Sequence, residues 1–297
     1  MDKVYILFNR QANHGKGEEG VEEILREFPK DAVVLDVTTT DVHALVGELD
    51  SDDCLVLCGG DGTLNRFANS IRGIDIHFPM YLWRSGTGND FLNDLELPAD
   101  EKKIYINDYL KDLPTVTIND KENVCFINGV GMGLDGFVCE EMDIKKRQGK
   151  NANYTLVAIK QLFFGYKRPN ATITVDGVTK KYKKVWLVPT MNGRFLGGGM
   201  KMAPMQYRMS DKLSCIAVHN ASRLKILVIF ITIFKGSHIK YKSLVDWRQG
   251  HEITVEFDRP VSMQIDGEVY TNVRKYVAVK PALEEETAQP ALAAAEY

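Results

Sequence analysis

The stretch "CLVLCGGDGTLNRFANSI", residues 54–71, decides the fold. An unbroken apolar run ends in three glycines and an aspartate, and a helix-like pattern follows at once. The apolar run reads as a strand buried on both faces, as in a parallel sheet covered by helices. Its carboxyl end is where open α/β sheets bind their ligands. Gly59, Gly60 and Gly62 let the backbone turn and approach a ligand closely. Thr63 is placed to cap a helix that begins at Leu64. Free N–H groups and the positive dipole end of such a helix make an anion site suited to phosphate. A negative Asp61 belongs there if a divalent cation, or its water, bridges carboxylate and phosphate. Taken alone, a Gly-Asp-Gly stretch reads better as a turn with no ligand.

Working outward, the flanking segments repeat the same rhythm. "KVYILF", "AVVLDV" and "FPMYLW" read as strands, and "GEEGVEEILREF" and "TDVHALVGEL" as helices between them. The pattern predicts a three-layer α/β nucleotide-binding domain over residues 1–112, with a parallel sheet. After Leu113-Pro114 the segments turn β-branched and alternating: "TVTIND", "VCFINGVG", "ATITVDG", "KKYKKVWLVPTMNG", "LSCIAVHN", "EITVEF", "SMQIDGE" and "KYVAVKPA". Asp-Gly at 176–177 and at 266–267 are hairpin-turn signals. These segments predict a mainly antiparallel β domain over 113–283, interrupted by helices near 151–165 and 222–235. The acidic, Ala-rich residues 284–297 form a tail.

Composition narrows the class. The chain has 297 residues, 44% of them hydrophobic, enough for full cores. A formal net charge of -3 argues against a nucleic-acid partner. The five cysteines are odd in number and sit mostly in apolar runs, which predicts buried thiols and a reducing, cytoplasmic setting. "MDKVYILFNR" lacks the apolar core and cleavage site of a signal peptide. "LKILVIFITIF", 224–234, is apolar all round but shorter than a membrane span. It reads as a core helix, or as one whose flank touches lipid. Arg223, Lys225, Lys235, Lys240 and Lys242 surround it with positive charge.

The glycine loop has company. "RSGTGNDFLNDL" (84–95) comes after the next strand and "NRQANHGKG" (9–17) after the first, so three polar loops gather at one sheet edge. GGDGTLN (59–65), GTGNDF (86–91), LGGGMKMAP (196–204), SDKL (210–213) and IDGE (265–268), in that order, resemble the catalytic domain of the diacylglycerol kinase family. Within it the chain is most similar to the soluble bacterial lipid kinases. The resemblance covers nearly the whole chain, although GGDGT alone is shared with NAD kinases. It implies that Asn9, Arg10, Gln11, Ala12, Asn13, Thr38, Gly60, Asp61, Gly62, Thr63, Leu64, Asn65, Arg66 and Thr87 hold ATP. It implies that Asp61 and Asp90 belong to a magnesium–water network, that Glu268 is the catalytic base and that Asp266 assists it. A second, structural metal is implied on the turn of Arg208, Asp211 and Leu213, the first and last through backbone carbonyls. The first loop departs from the family's NPxSG or NPxAG, Asn93 stands where a basic residue is common, and Gln206 replaces a small residue.

The implied activity is an ATP- and Mg2+-dependent lipid kinase acting on a glycerolipid hydroxyl. Diacylglycerol is the first acceptor, phosphatidylglycerol or another hydroxylated lipid the second, with acyl chains in an apolar cleft of the β half. The implied setting is cytoplasmic with peripheral membrane association, a homodimer being left open. An NAD kinase-like activity and a non-catalytic nucleotide- or lipid-binding module are the alternatives. "GMGLDG" (131–136) imitates a dinucleotide fingerprint, but no carboxylate follows in "KKRQGKNANYT", so it reads as a close-packing glycine turn. The basic runs "KKRQGK" (145–150) and "KKYKK" (180–184) read as solvated faces. The histidines show no paired metal-ligand spacing.

Overall fold

A computed structural model describes residues 3–10, 19–28, 32–84, 89–98, 100–149 and 154–281. Period-two alternation sorts the first strands onto two faces. In β1 (Val4–Phe8), Val4, Ile6 and Phe8 enter one core cluster and Leu7 another. In β3 (Cys54–Gly59), Cys54, Val56 and Cys58 face the first cluster, and Leu55 and Leu57 the second. A sheet apolar on both sides needs cover on both. Helix α1 (Glu19–Glu27) gives the first face Val21 and Ile24. Helices α2 (Val42–Gly47) and α3 (Asp61–Ser70) give the second Val46, Leu64 and Phe67. The strand order is β2 (Val33–Asp36), β1, β3, β4 (Met80–Arg84), β5 (Lys103–Tyr105). Four of the strands run parallel, and β5, which the sequence did not announce, joins the edge antiparallel. Two short helices, α4 (Asp90–Leu95) and α5 (Asn107–Leu110), flank β5 along the chain.

The second sheet has ten strands, all antiparallel. Its main path runs β13 (Val245–Gly250), β12 (Leu213–His219), β11 (Val185–Met191), β8 (Gly129–Gly133), β14 (Glu252–Ile265), β15 (Glu268–Val279), β6 (Thr115–Ile118), β7 (Glu122–Cys125). The hairpin of β9 (Ala171–Val175) and β10 (Val178–Tyr182) attaches to β14. Several segments differ from expectation. "VCFINGVG" is interrupted between β7 and β8. "EITVEF" and the "SMQI" of "SMQIDGE" are one strand, which passes Pro260 with a register irregularity. Helix α6 (Leu134–Arg147) starts inside the "GMGLDG" glycine turn and ends in the basic run, whose charges complement its dipole. Helices α7 (Tyr154–Phe164) and α8 (Arg223–Ile233) match the two expected stretches. With α6 they share a core containing Leu134, Leu162, Trp186 and Ile229.

No disulfide joins the five cysteines, all of which lie among the described residues, and only Cys139 is not buried. Among the described residues, no helix is long and apolar enough to cross a membrane.

Candidate active site

The three glycines at the β3–α3 junction do different work. A Cβ on Gly59 would sit 2.5 Å from that of Thr63, so bare backbone there is a packing need. Gly62 has open space, and the nearest atom to a Cβ on Gly60 is 3.6 Å away on Asn89. The helix starts earlier than expected: Gly60 occupies the cap position and Asp61 the first turn of α3. Thr63 is therefore no cap. Its hydroxyl accepts a 3.1 Å hydrogen bond from the Asn9 side chain and ties the end of β1 to α3.

Asp61 caps a different helix. Its carboxylate accepts from the backbone N–H groups of Asp90 (2.7 Å) and Phe91 (3.1 Å), which open α4. Asp90 in turn accepts from the N–H groups of Gly198 (2.8 Å) and Gly199 (2.6 Å) in the second half of the chain. Those glycines have φ of 81° and 97°, values that other residues adopt only with strain. Burial, and then the charge of Asp90, push the Asp61 carboxyl up to about 7; burial raises Asp90 too. Two carboxylates coupled in this way, Asp90 buried and Asp61 half-buried, fit a divalent cation, whose charge would offset their repulsion. Each oxygen already accepts an N–H, and no three ligand-type side chains converge on one point among the described residues. The fit is therefore to the cation's water shell.

The opposite wall is the Asp-Gly turn that closes the β14–β15 hairpin, with φ of 45° at Asp266 and 91° at Gly267. The half-buried Asp266 carboxylate accepts from three successive N–H groups, Ile127 (2.6 Å), Asn128 (2.8 Å) and Gly129 (2.9 Å), and from Asn65 Nδ2 (2.8 Å). Burial raises its pKa and these donors oppose the rise. Glu268 is more exposed; its Oε1 accepts from Arg66 Nε (2.9 Å) and Nη2 (2.5 Å). Adjacent residues of α3 thus grip two carboxylates about 200 positions further along the chain.

A cleft of about 760 Å³ opens between these walls, lined in part by Asn9, Thr38, Thr63, Asn65, Arg66 and Glu268. Thr38 is fixed by Asp36, which also faces Arg10 at 3.7 Å. Leu64 does not join the cleft: its side chain is fully buried and its N–H bonds the Gly60 carbonyl. Gln11, Ala12, Asn13 and Thr87 lie outside the described residues. A neighbouring pocket of about 240 Å³ collects Asp61, Asp90 and Asp266, together with Asp135 and Gln264, which sequence reasoning does not single out. Asp135 sits in the first turn of α6, and burial pushes its carboxyl up to about 6. The packing role expected of "GMGLDG" also holds, since a Cβ on Gly136 would lie 2.2 Å from the Ser262 carbonyl. A carboxylate inside a glycine-dense helix start was the available signal.

The turn expected to hold a structural metal carries an internal cation. Lys280 Nζ donates to the Arg208 carbonyl (2.5 Å) and to Asn192 Oδ1 (2.6 Å), and burial lowers its pKa to about 8. A metal using that carbonyl would compete with the ammonium. Asp211 faces His251 at 3.5 Å, and Leu213 is fully buried at the start of β12. The Arg208 guanidinium instead binds Asp94 of α4 at 2.8 Å, beside Arg194 at 2.7 Å.

The fold and site now meet known proteins. Residues 3–115 match the diacylglycerol kinase catalytic domain, and residues 128–284 match the YegS C-terminal NAD kinase beta sandwich-like domain. A diacylglycerol kinase of Mycobacterium tuberculosis is 23% identical, with 94% of this chain and 93% of that protein covered. The "putative lipid kinase YtlR" of Bacillus subtilis is 23% identical over 77% of this chain and 78% of its own. A solved structure described as a "putative diacylglycerol kinase" from Bacillus anthracis superimposes with a TM-score of 0.70 at 19% identity, covering 95% of this chain and 94% of its own; it shows the shared fold. With two-sheet architecture, motif order and both domain matches in agreement, the chain belongs to the diacylglycerol kinase catalytic-domain family, its second half being the YegS-type β domain.

Proposed function

We propose that the protein transfers the γ-phosphoryl group of ATP to a hydroxyl of a glycerolipid, diacylglycerol first, giving phosphatidic acid. The observation that carries this reading is the grip of Asn65 and Arg66 on Asp266 and Glu268. It holds an acceptor-side carboxylate against the corner where a nucleotide's phosphates would lie. Phosphoryl transfer asks for positioning and charge neutralisation more than covalent chemistry. Gly60 and Gly62 leave space for phosphate oxygens, and Asn9, Thr38 and Thr63 line the remainder of the nucleotide side.

Magnesium, held through water by Asp61 and Asp90, would supply charge neutralisation on the transferred phosphate. Arg66 lines the cleft and would exchange Glu268 for a phosphate oxygen, a bidentate habit of guanidinium groups. Glu268 then accepts the proton of the lipid hydroxyl as its oxygen bonds phosphorus and the bond to the ADP leaving group breaks. Asp266 assists by fixing the turn that presents Glu268. The acyl chains are assigned to a groove of about 330 Å³ between α6 and the β14–β15 ribbon, lined by Phe137, Tyr166, Pro260 and Val261. The setting is the cytoplasmic membrane surface.

The test uses labelled ATP with a total-lipid extract and, separately, with NAD, each with and without magnesium. Magnesium-dependent label in an extractable lipid is the expected result. Label in NADP would move the reading to an NAD kinase-like activity, and label in neither would leave a non-catalytic binding module.

A further inference from the structure

Helix α8 carries two apolar faces where a core helix needs one. From Leu224 to Ile233, Lys225 and Thr232 are the only polar residues. Ile226, Ile229, Phe230 and Ile233 are buried in the core shared with α6 and α7. Leu224, Val228 and Ile231, at i, i+4 and i+7, form a second stripe, 73%, 51% and 64% exposed, which Phe234 extends. Four large apolar side chains in one row are more than the scattered singles of an ordinary surface.

The charge along the chain on either side of this stripe has one sign. Between His219 and Asp246 there is no acidic residue, while Arg223, Lys225, Lys235, Lys240 and Lys242 are all exposed. The 3-10 turn after α8 (Ser237–Lys240) is packed in place: His238 bonds the Met202 carbonyl at 2.9 Å, and Gly236 lies against Pro204. The loop that starts at Pro204 carries Met205 and Tyr207, both well exposed. The apolar surface therefore continues past the end of the helix.

We infer that α8 is the docking helix by which this protein sits on an anionic lipid bilayer. An eleven-residue helix is about 16 Å long and cannot span the hydrocarbon core, so it lies in the interface. The stripe of Leu224, Val228, Ile231 and Phe234 enters the headgroup–acyl boundary, and the flanking lysines meet lipid phosphates. Charge distinguishes this occupant from a second copy of the chain. A two-fold interface through α8 would set the five cations against their own images. The inference takes its purpose from the lipid-acceptor reading, but its test needs no catalysis.

The full chain is floated, without nucleotide, with phosphatidylcholine vesicles and with the same vesicles doped with phosphatidylglycerol, at low and high salt. The expected result is flotation with the anionic vesicles only, weakened by salt. The double variant Val228→Glu/Ile231→Glu alters exposed positions, so circular dichroism should match the wild type; its bound fraction should fall at least roughly tenfold. Lys235→Glu/Lys242→Glu should abolish the preference for anionic lipid. Flotation indifferent to anionic lipid, or undiminished in the Val228→Glu/Ile231→Glu protein, would overturn the inference. So would a dimer in sedimentation that Ile231→Glu disperses. In the labelled-ATP assay, the Val228→Glu/Ile231→Glu protein should phosphorylate detergent-dispersed lipid normally and vesicle lipid poorly. Flotation as expected with no lipid phosphorylated in either form would count against the kinase reading and leave the docking face standing.

Discussion

Two hairpin tips carry the same Asp-Gly dipeptide in nearly the same conformation. At the β9–β10 tip, φ is 46° at Asp176 and 79° at Gly177; at the β14–β15 tip it is 45° at Asp266 and 91° at Gly267. Both aspartates bind backbone N–H groups of another segment. Asp176 accepts from His251 and Glu252 at 2.9 Å each, near the surface. Asp266 accepts from three successive N–H groups and from Asn65 on the first sheet's helix, and it is half-buried. The dipeptide thus specifies a turn and a staple. What differs is which segments the staple joins and the side chain just beyond the glycine: Glu268 against Arg66 at one tip, exposed Val178 at the other.

Four substitutions test that contrast. Glu268→Gln should lower phosphoryl transfer by about 10³-fold or more, with a melting temperature close to wild type, because the Arg66 pair it loses is largely exposed. Full activity in that variant would return the second tip to the status of the first. Asp266→Asn places an N–H₂ or a single acceptor before four donors in a half-buried site. It should cost about 3 kcal/mol in denaturant titration and impair transfer through misplacement of Glu268. Asp135→Asn probes the buried acid beside that tip. Its carboxyl rises from 3.8 to about 6, so between those values the folded state binds more protons and stability falls as pH rises. The variant, free of that penalty, should melt a few degrees above wild type at pH 7.5, with the gap closing as pH falls toward 4. Asp176→Asn should cost less than about 1 kcal/mol and leave kcat and KM unchanged. A larger kinetic effect there would erase the distinction between the tips.

Both tips were legible as turns, because an Asp-Gly dipeptide acts locally. The two-sided strands of the first sheet were legible for the same reason: Val4 to Phe8 and Cys54 to Gly59 are apolar at every step. What escaped depends on distance in sequence. Nothing near Thr63 reveals that Asn9 takes its hydroxyl, or that Asp61 caps α4 rather than its own helix. Strand β13, "VDWRQG", has little apolar alternation and is ordered by pairing with β12. Helix α6 was hidden because its glycine-dense start reads as a turn until its close contact with β14 is seen. For the candidate site, motif order brought Asp61, Asp90, Asp266 and Glu268 to notice together. That Leu64 turns into the core, and that Lys280 serves the Arg208 carbonyl, depend on contacts no local pattern encodes.

The links between Asp94 and the two arginines bear on how substrates meet. Asp94 is buried beneath Arg194 and Arg208, and Asp90 and Asp266 add further bonds from one sheet's territory to the other's. A clamshell motion would have to pull charged groups apart in a dry interior, a loss of several kcal/mol. The jaw is therefore preset in width, and small-angle scattering should record the same dimensions with and without nucleotide. Substrates would then meet a fixed anvil rather than a closing hand.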